Sequence, residues 1–240
     1  MPERDLIRWV RHRLRPGSRA VTIGPGDDMA LVRTSSAGLL VAIDTIAEGV
    51  DFTLDAATPA QIGRKAVAVN LSDVAAMGGI PSWFVASVNL TKGLGGAFAR
   101  SLGGGLVAAS RRYKCPLIGG DVTGWKDGVV VTVAIGASPA GKRAITRGEA
   151  RPGDVVFVTG SLGGSILGKH LRFEPRLAEG AWLARNFAPT AMIDVSDGLG
   201  VDAAHIADES GVGISVDAAA LPVSPAARRL SAADARSPLS

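Results

Sequence analysis

Lys65-Ala-Val-Ala-Val-Asn-Leu-Ser-Asp-Val-Ala-Ala-Met-Gly-Gly79 is the most constraining run in this 240-residue chain. Ala66 to Met77 predicts a helix, and nearly every position in it is Ala, Val, Leu or Met. A helix that is apolar on all sides is a buried one. Asn70, Ser72 and Asp73 nevertheless stand in its middle, and Asn70 and Asp73, three apart, share a face. A carboxylate carried into a core costs several kcal/mol unless a cation or several donors meet it. Two readings of Asp73 stay open on this stretch alone. Either a nearby arginine or backbone amides satisfy it, or it is delivered to a metal or phosphate site.

Upstream, Thr58 can cap this helix with Pro59 in its first turn. Before it, Leu39–Thr45 reads as a strand with Asp44 near its end, followed by Glu48-Gly49-Val50-Asp51. Short strands are expected at Ala20–Ile23 and Met29–Arg33, separated by Gly24-Pro25-Gly26-Asp27-Asp28, and a basic amphipathic helix at Arg4–Arg15. Downstream, strands are expected at Ser82–Leu90, Leu117–Asp121 and Val129–Ile135, and a helix over Gly95–Arg112. Strands interleave with helices, so the class is α/β or α+β.

A clustering of Gly, Pro and Arg over Pro139–Pro152 marks a boundary, giving two units, 1–138 and 139–240. The second unit opens with a buried-type strand at Asp154–Thr159, running through Gly160–Gly164 into a helix. It continues with helix around Pro175–Phe187, a short strand within Ala191–Leu199 turning into a helix at Leu199–Asp208, and a strand at Val212–Val216. The tail from Ala226 reads as lacking a closing element, so this unit is expected to be incomplete.

Composition excludes several classes. With 47% hydrophobic and 20% charged residues the chain is not of the disordered type. No apolar run approaches the length of a membrane span, and the start, Met-Pro-Glu-Arg-Asp, lacks the plan of a secretory signal. One cysteine, Cys115, rules out an internal disulfide and a multi-cysteine metal site. These features point to a cytoplasmic protein without a membrane partner. The net charge of +4 suits anionic small molecules, and 5% aromatic residues leave little for stacking bases, so nucleic acid is not an expected partner.

The acids recur in one setting. Asp28, Asp44, Asp121 and Asp194 lie at strand ends or the turns beside them, near Gly, Ser or Thr, while Asp73 and Asp197 belong to neighbouring helices. Ligands collect at strand ends in α/β folds, and small neighbours let a polyanion approach the backbone. Each acid alone reads most simply as a turn or cap residue. Six together suit a hard, oxygen-seeking cation such as Mg²⁺.

Competing chemistries fare worse. His12, His170 and His205 have no ligand spacing, and no Gly-x-Ser-x-Gly elbow supports a hydrolase triad. Gly163-Gly-Ser-Ile-Leu-Gly168-Lys169 fills the first seven places of a P-loop, but His170 follows where Ser or Thr would hold Mg²⁺.

Six motifs now fall into order. They are Gly26-Asp27-Asp28, Asp44-Thr45 with Glu48-Gly49-Val50, Ala68-Val-Asn-Leu-Ser-Asp-Val-Ala-Ala-Met-Gly78, Ile118-Gly-Gly-Asp121, Pro152-Gly-Asp154 with Thr159-Gly160, and Ile193-Asp-Val-Ser-Asp-Gly-Leu199. Together they resemble the thiamine-monophosphate kinase family, part of the superfamily of aminoimidazole ribonucleotide synthetase and selenophosphate synthetase. The resemblance implies an amino-terminal mixed sheet with helices forming a dimerising half-barrel that binds ATP and Mg²⁺, followed by a partial α/β domain. It implies transfer of the γ-phosphoryl group of ATP onto thiamine monophosphate, several Mg²⁺ ions, and a homodimer. By the same resemblance Asp28, Asp44, Asp73, Asp121, Asp194 and Asp197 would hold metal, and Gly120, Asp121, Arg147 and Ser196 would contact the nucleotide. Asp51 would face the thiamine substrate.

Two departures stand out. Family members commonly have histidine where this chain has Asp51, which would pair with a cationic thiazolium or mark a changed acceptor. The family's later Gly-Glu-Asp-Tyr-Glu-Leu segment is not found here, so a truncated, catalytically impaired nucleotide- and Mg²⁺-binding protein is the alternative expectation. Among superfamily enzymes, selenophosphate synthesis is disfavoured because no cysteine lies near the amino terminus.

Overall fold

The computed structural model describes residues 21–23, 28–32 and 38–234. The expected helix at Arg4–Arg15 and most of the Gly24–Asp28 turn lie outside the described residues, as does the end of the tail.

Six strands form one mixed sheet: β1 (Val21–Ile23), β2 (Ala30–Val32), β3 (Leu39–Ala47), β4 (Gly79–Thr91), β5 (Leu117–Trp125) and β6 (Val130–Pro139), in the order β1-β2-β3-β6-β4-β5. Every neighbouring pair is antiparallel except β4 and β5. Parallel neighbours need a crossover, and helix α2 (Gly95–Arg112) supplies it. Helix α1 (Pro59–Ala76) lies with α2 against the same face of the sheet. Leu40, Ala42 and Ile46 of β3, Val131, Val133 and Ile135 of β6, and Phe84, Ala86 and Val88 of β4 alternate inward to meet these helices. The opposite face is less covered, and there Ile43 is 69% exposed.

The start of α1 follows from its sequence. Thr58 accepts from Gln61 N–H while its own N–H donates to the Gln61 side chain, a reciprocal cap worth about 1 kcal/mol. Ile62, Val67, Leu71 and Val74 are fully buried, each contributing roughly 1.5–3 kcal/mol. The two helices also touch backbone to backbone. A Cβ on Gly63 would sit 2.2 Å from the Leu102 carbonyl oxygen, and one on Gly105 would sit 2.2 Å from that of Ala60. Asn70, fully buried, donates to Ala66 O, and its side-chain oxygen is a buried polar atom with no hydrogen-bond partner among the described residues.

Beyond β6 the chain differs from expectation. Residues 154–159, 191–195 and 212–216 form no strand among the described residues, and Val155, Val156, Phe157, Val195 and Val216 are exposed. Apolar runs become strands only where a neighbouring strand takes up their N–H and C=O groups, and none does so among the described residues. The region holds instead two 3-10 turns (Ser165–Leu167 and Ala218–Ala220) and the helices α3 (Lys169–Arg172), α4 (Leu177–Asn186), α5 (Leu199–Ser210) and α6 (Pro225–Asp234). Helix α6 covers the start of the Ala-, Arg- and Ser-rich tail, for which the sequence suggested no closing element. Helix α4 packs on α1 at Gly180, where a Cβ would lie 2.3 Å from Ala75 O. Among the described residues no helix is long and apolar enough to cross a membrane.

The close α1–α2 contact gives a stability test. Gly105→Ala should destabilise the protein by about 1–3 kcal/mol in denaturant unfolding, because the new methyl meets the fixed Ala60 carbonyl. Gly104→Ala, one position away with nothing within 4 Å of its Cβ, should be neutral or stabilising by up to about 1 kcal/mol. Equal effects at the two positions would refute the backbone contact.

Candidate active site at the seam of helix, sheet and strap

The C-terminal end of α1 is where the rest of the chain converges. After β6, Ile145 N–H donates to Met77 O just past that helix, pinning a strap over residues 143–150. The next residue, Thr146, accepts from Met192 N–H, drawing the extended 191–195 segment alongside. Asp194 thereby reaches α1, where Ser72 Oγ donates to its Oδ2 at 2.6 Å. From the other side Asp28, just before β2, meets the strap: Arg147 Nη2 donates to Asp28 Oδ1 at 2.6 Å and Nε to Oδ2 at 3.0 Å. The Asp28 side chain is 1% exposed and that of Arg147 19%.

Asp28, Asp73 and Asp194 each bring one carboxylate oxygen within 4.8 Å of the others, the one such acid cluster among the described residues. Burial, then the fields of Asp194, Asp28 and Asp44, push Asp73 up to about 9, with Arg147 pulling the other way. Burial and Asp28 likewise raise Asp194 to about 6, against the Ser72 hydrogen bond. A cluster that resists ionising has a strong appetite for a cation. Oxygens bound to one Mg²⁺ lie within about 4.2 Å of each other, so the trio needs only a slight inward shift. An all-carboxylate donor set without His or Cys suits a hard divalent ion. The residues fit such an ion.

The other expected residues are placed differently. Asp44 shares the helix-facing side of β3 with Leu40, Ala42 and Ile46, near enough for its charge to be felt at Asp73. Gly120 sits in the same cross-strand row, Asp44–Val133–Ala86–Gly120, three strands or about 14 Å along. Any Cβ there would strike Ala86 O at 2.3 Å, so only glycine fits. Asp121, opposite Ser87, alternates to the other face of the sheet, where its carboxylate accepts from Thr123 Oγ1 at 3.0 Å. Asp197 and Ser196 are exposed. Neither Asp121 nor Asp197 joins the three-acid cluster. Asp51 accepts from Ala47 N–H at 2.8 Å, closing the turn after β3, while its carbonyl accepts from the buried Lys65 Nζ at 2.5 Å, beside His170.

Two positioning residues were not anticipated. Ser72 holds Asp194, and Asp202, buried in the first turn of α5, accepts from Ser196 N–H and Gly198 N–H. An acid one turn after Asp-Gly was visible in the sequence; its partners were not. The P-loop-like stretch is not built as one. No strand precedes it, Lys169 opens the four-residue α3, and Leu162, Gly163 and Gly164 pack against residues 222–227. A groove of about 370 Å³ runs between α2 and the β4–β5 edge, lined by Val88, Leu90, Leu102, Leu106 and Gly120.

Comparison with known proteins gives a consistent result. Residues 26–138 match the model of the AIR synthase related protein, N-terminal domain. Thiamine-monophosphate kinase of Bacillus subtilis is 36% identical over 93% of this chain and 75% of its own length. That of Rhodopirellula baltica is 33% identical over 99% and 77%. Among solved structures, AaThiL complexed with AMPPCP and TMP superposes with a TM-score of 0.88 at 31% identity, covering 99% of this chain and 79% of that one. Thiamine monophosphate kinase from Aquifex aeolicus superposes at 0.84 and 28% identity, covering 100% and 84%.

Crowded acids make stability depend on pH. Both shifts are upward, so the folded state keeps protons that the unfolded chain releases. Stability of the metal-free protein should therefore fall as pH rises, first through about 6 as Asp194 ionises, then toward about 9 with Asp73. Thermal unfolding across that range should show this decline, and Asp73→Asn should remove its alkaline part. A wild-type midpoint that climbs with pH would contradict the assignment.

Proposed function

Since the chain belongs to the thiamine-monophosphate kinase family, we propose that it transfers the γ-phosphoryl group of ATP onto the phosphate of thiamine monophosphate, giving thiamine diphosphate and ADP. An acceptor phosphate oxygen forms the new P–O bond as the bond from the γ-phosphorus to the β-bridging oxygen breaks. The observation that carries this reading is the meeting of Asp28, Asp73 and Asp194 beside Arg147. Acceptor and donor are both anionic, so their approach must be made electrostatically possible. Mg²⁺ held by those three acids, with Asp44 nearby, would screen that repulsion.

The remaining work falls to the chain itself. Ser72 fixes the rotamer of Asp194, and Arg147 offers a planar, permanently charged fork suited to phosphate oxygens. Gly120 belongs to the same proposal as a nucleotide contact, and the apolar groove beside it has room for the purine. Asp202 holds the 196–198 turn so that Ser196 can face the nucleotide. Asp197 belongs to the same proposal as an outer metal contact, and Asp51 as a contact to the acceptor, while Asp121, on the opposite face of the sheet, is left out of it. This reading takes 1–138 as the ATP-binding and dimerising unit and 139–240 as residues of a second domain. The less covered sheet face bearing Ile43 is its candidate dimer surface.

A second reading has one specific observation in its favour. Val155, Phe157, Trp182 and Phe187 stand exposed in the second unit, where no strand forms among the described residues. On this reading the protein binds nucleotide and Mg²⁺ without turnover. Incubation with ATP, Mg²⁺ and thiamine monophosphate separates the two. Formation of thiamine diphosphate is the expected outcome; ATP binding without product would favour the second reading, and absence of ATP binding would defeat both. Asp73→Asn should leave the fold intact and abolish Mg²⁺-dependent ATP binding, measured by calorimetry.

A further inference from the structure

We infer that Arg147 is an exchangeable counter-ion: it competes with a divalent ion for Asp28, and leaves that carboxylate for a nucleotide phosphate once the ion is bound. The inference rests on the function proposed above and adds an order of events to it. Arg147 engages both oxygens of Asp28, at 2.6 and 3.0 Å, in a nearly dry pair. An oxygen of that same carboxylate lies within 4.8 Å of oxygens of Asp73 and Asp194. A guanidinium covering both Asp28 oxygens and a dication drawn to the trio compete for one carboxylate, and two such cations side by side repel.

What can move is also defined. Arg147 O accepts from Ser210 Oγ at 2.7 Å, and the neighbouring residues of the strap bond to Met77 O and Met192 N–H. The backbone is held on both sides, so exchange requires only rotation of the arginine side chain. A long side chain on a fixed backbone can swing between two anions a few ångströms apart. Metal therefore precedes nucleotide: until Asp28 is taken by the divalent ion, the fork that would grip the phosphate is engaged elsewhere.

The sign of one measurement decides the matter. Titration of Mg²⁺ into nucleotide-free protein by calorimetry, in mildly alkaline buffer to reduce proton competition, should show R147Q binding the ion at least about tenfold more tightly than wild type. R147K, whose single ammonium cannot cover both oxygens, should fall between them. Affinity of both variants for ATP with Mg²⁺ should drop. If Arg147 merely props Asp28 in place, its removal should weaken Mg²⁺ binding. Unchanged or weaker Mg²⁺ binding by R147Q, with its metal-free thermal midpoint retained, would overturn the inference. Should R147Q fail to fold, the same comparison on R147K decides it. Wild-type protein that binds no Mg²⁺ at all would instead bring down the proposed function, and the inference with it.

Discussion

Three carboxylates of like charge are forced together at the end of α1, and the architecture around them is arranged to tolerate this. Asp28 comes from the approach to β2, Asp73 from the helix and Asp194 from a distant extended segment. Burial first, and their mutual charge second, raises the affinity of Asp73 and Asp194 for protons. Within the chain, the Arg147 guanidinium and the Ser72 hydroxyl answer it. Local instability of this kind persists only when surrounding packing more than offsets it, as at sites where activity is bought with stability.

That packing is the same helix seen from its other sides. Gly63 and Gly105 bring α1 and α2 into backbone contact, Gly180 does so for α4, and Val67, Leu71 and Val74 fill the space over the sheet. Because several elements press directly on the α1 backbone, the helix has little freedom to retreat from the repulsion at its end. The small residues of the helix let other elements close enough to hold its polar ones in place. Small side chains bury little apolar area of their own. Here small size has been exchanged for proximity.

How far this was legible in the sequence depended on whether the cause was local. The α1 start could be read because Thr58, Pro59 and Gln61 act within one turn, and β3, β4 and β6 could be read because each alternates against one buried face. Asp73 was conspicuous because an acid inside an apolar helix has few physical excuses. The partition of the acids was not readable. Whether Asp121 faces the cluster is fixed by the β4–β5 register, with Ser87 opposite it and Gly120 turned toward the helices. One residue of register reverses every side chain on a strand. Nor could spacing reveal that Arg147 and Asp28, 119 residues apart, would pair.

The second unit shows how a site can be assembled without the sheet that its sequence suggests. The runs at 154–159 and 191–195 are apolar enough for buried strands, yet a strand is defined by its neighbours, and these segments have none among the described residues. Phe157 finds Phe187 edge-on at 6.3 Å, a small refuge for two large rings. Asp194 consequently owes its place to the strap, through Met192 N–H on Thr146 O, and to the hydroxyl of Ser72, not to a ladder of hydrogen bonds. A sheet would fix its position through many small bonds. Two bonds fix it through few, which makes Asp194 the member of the trio whose position depends most on the seam staying closed. The strap that closes the seam is also the segment that carries Arg147. One segment therefore positions both the third acid and the cation that balances Asp28.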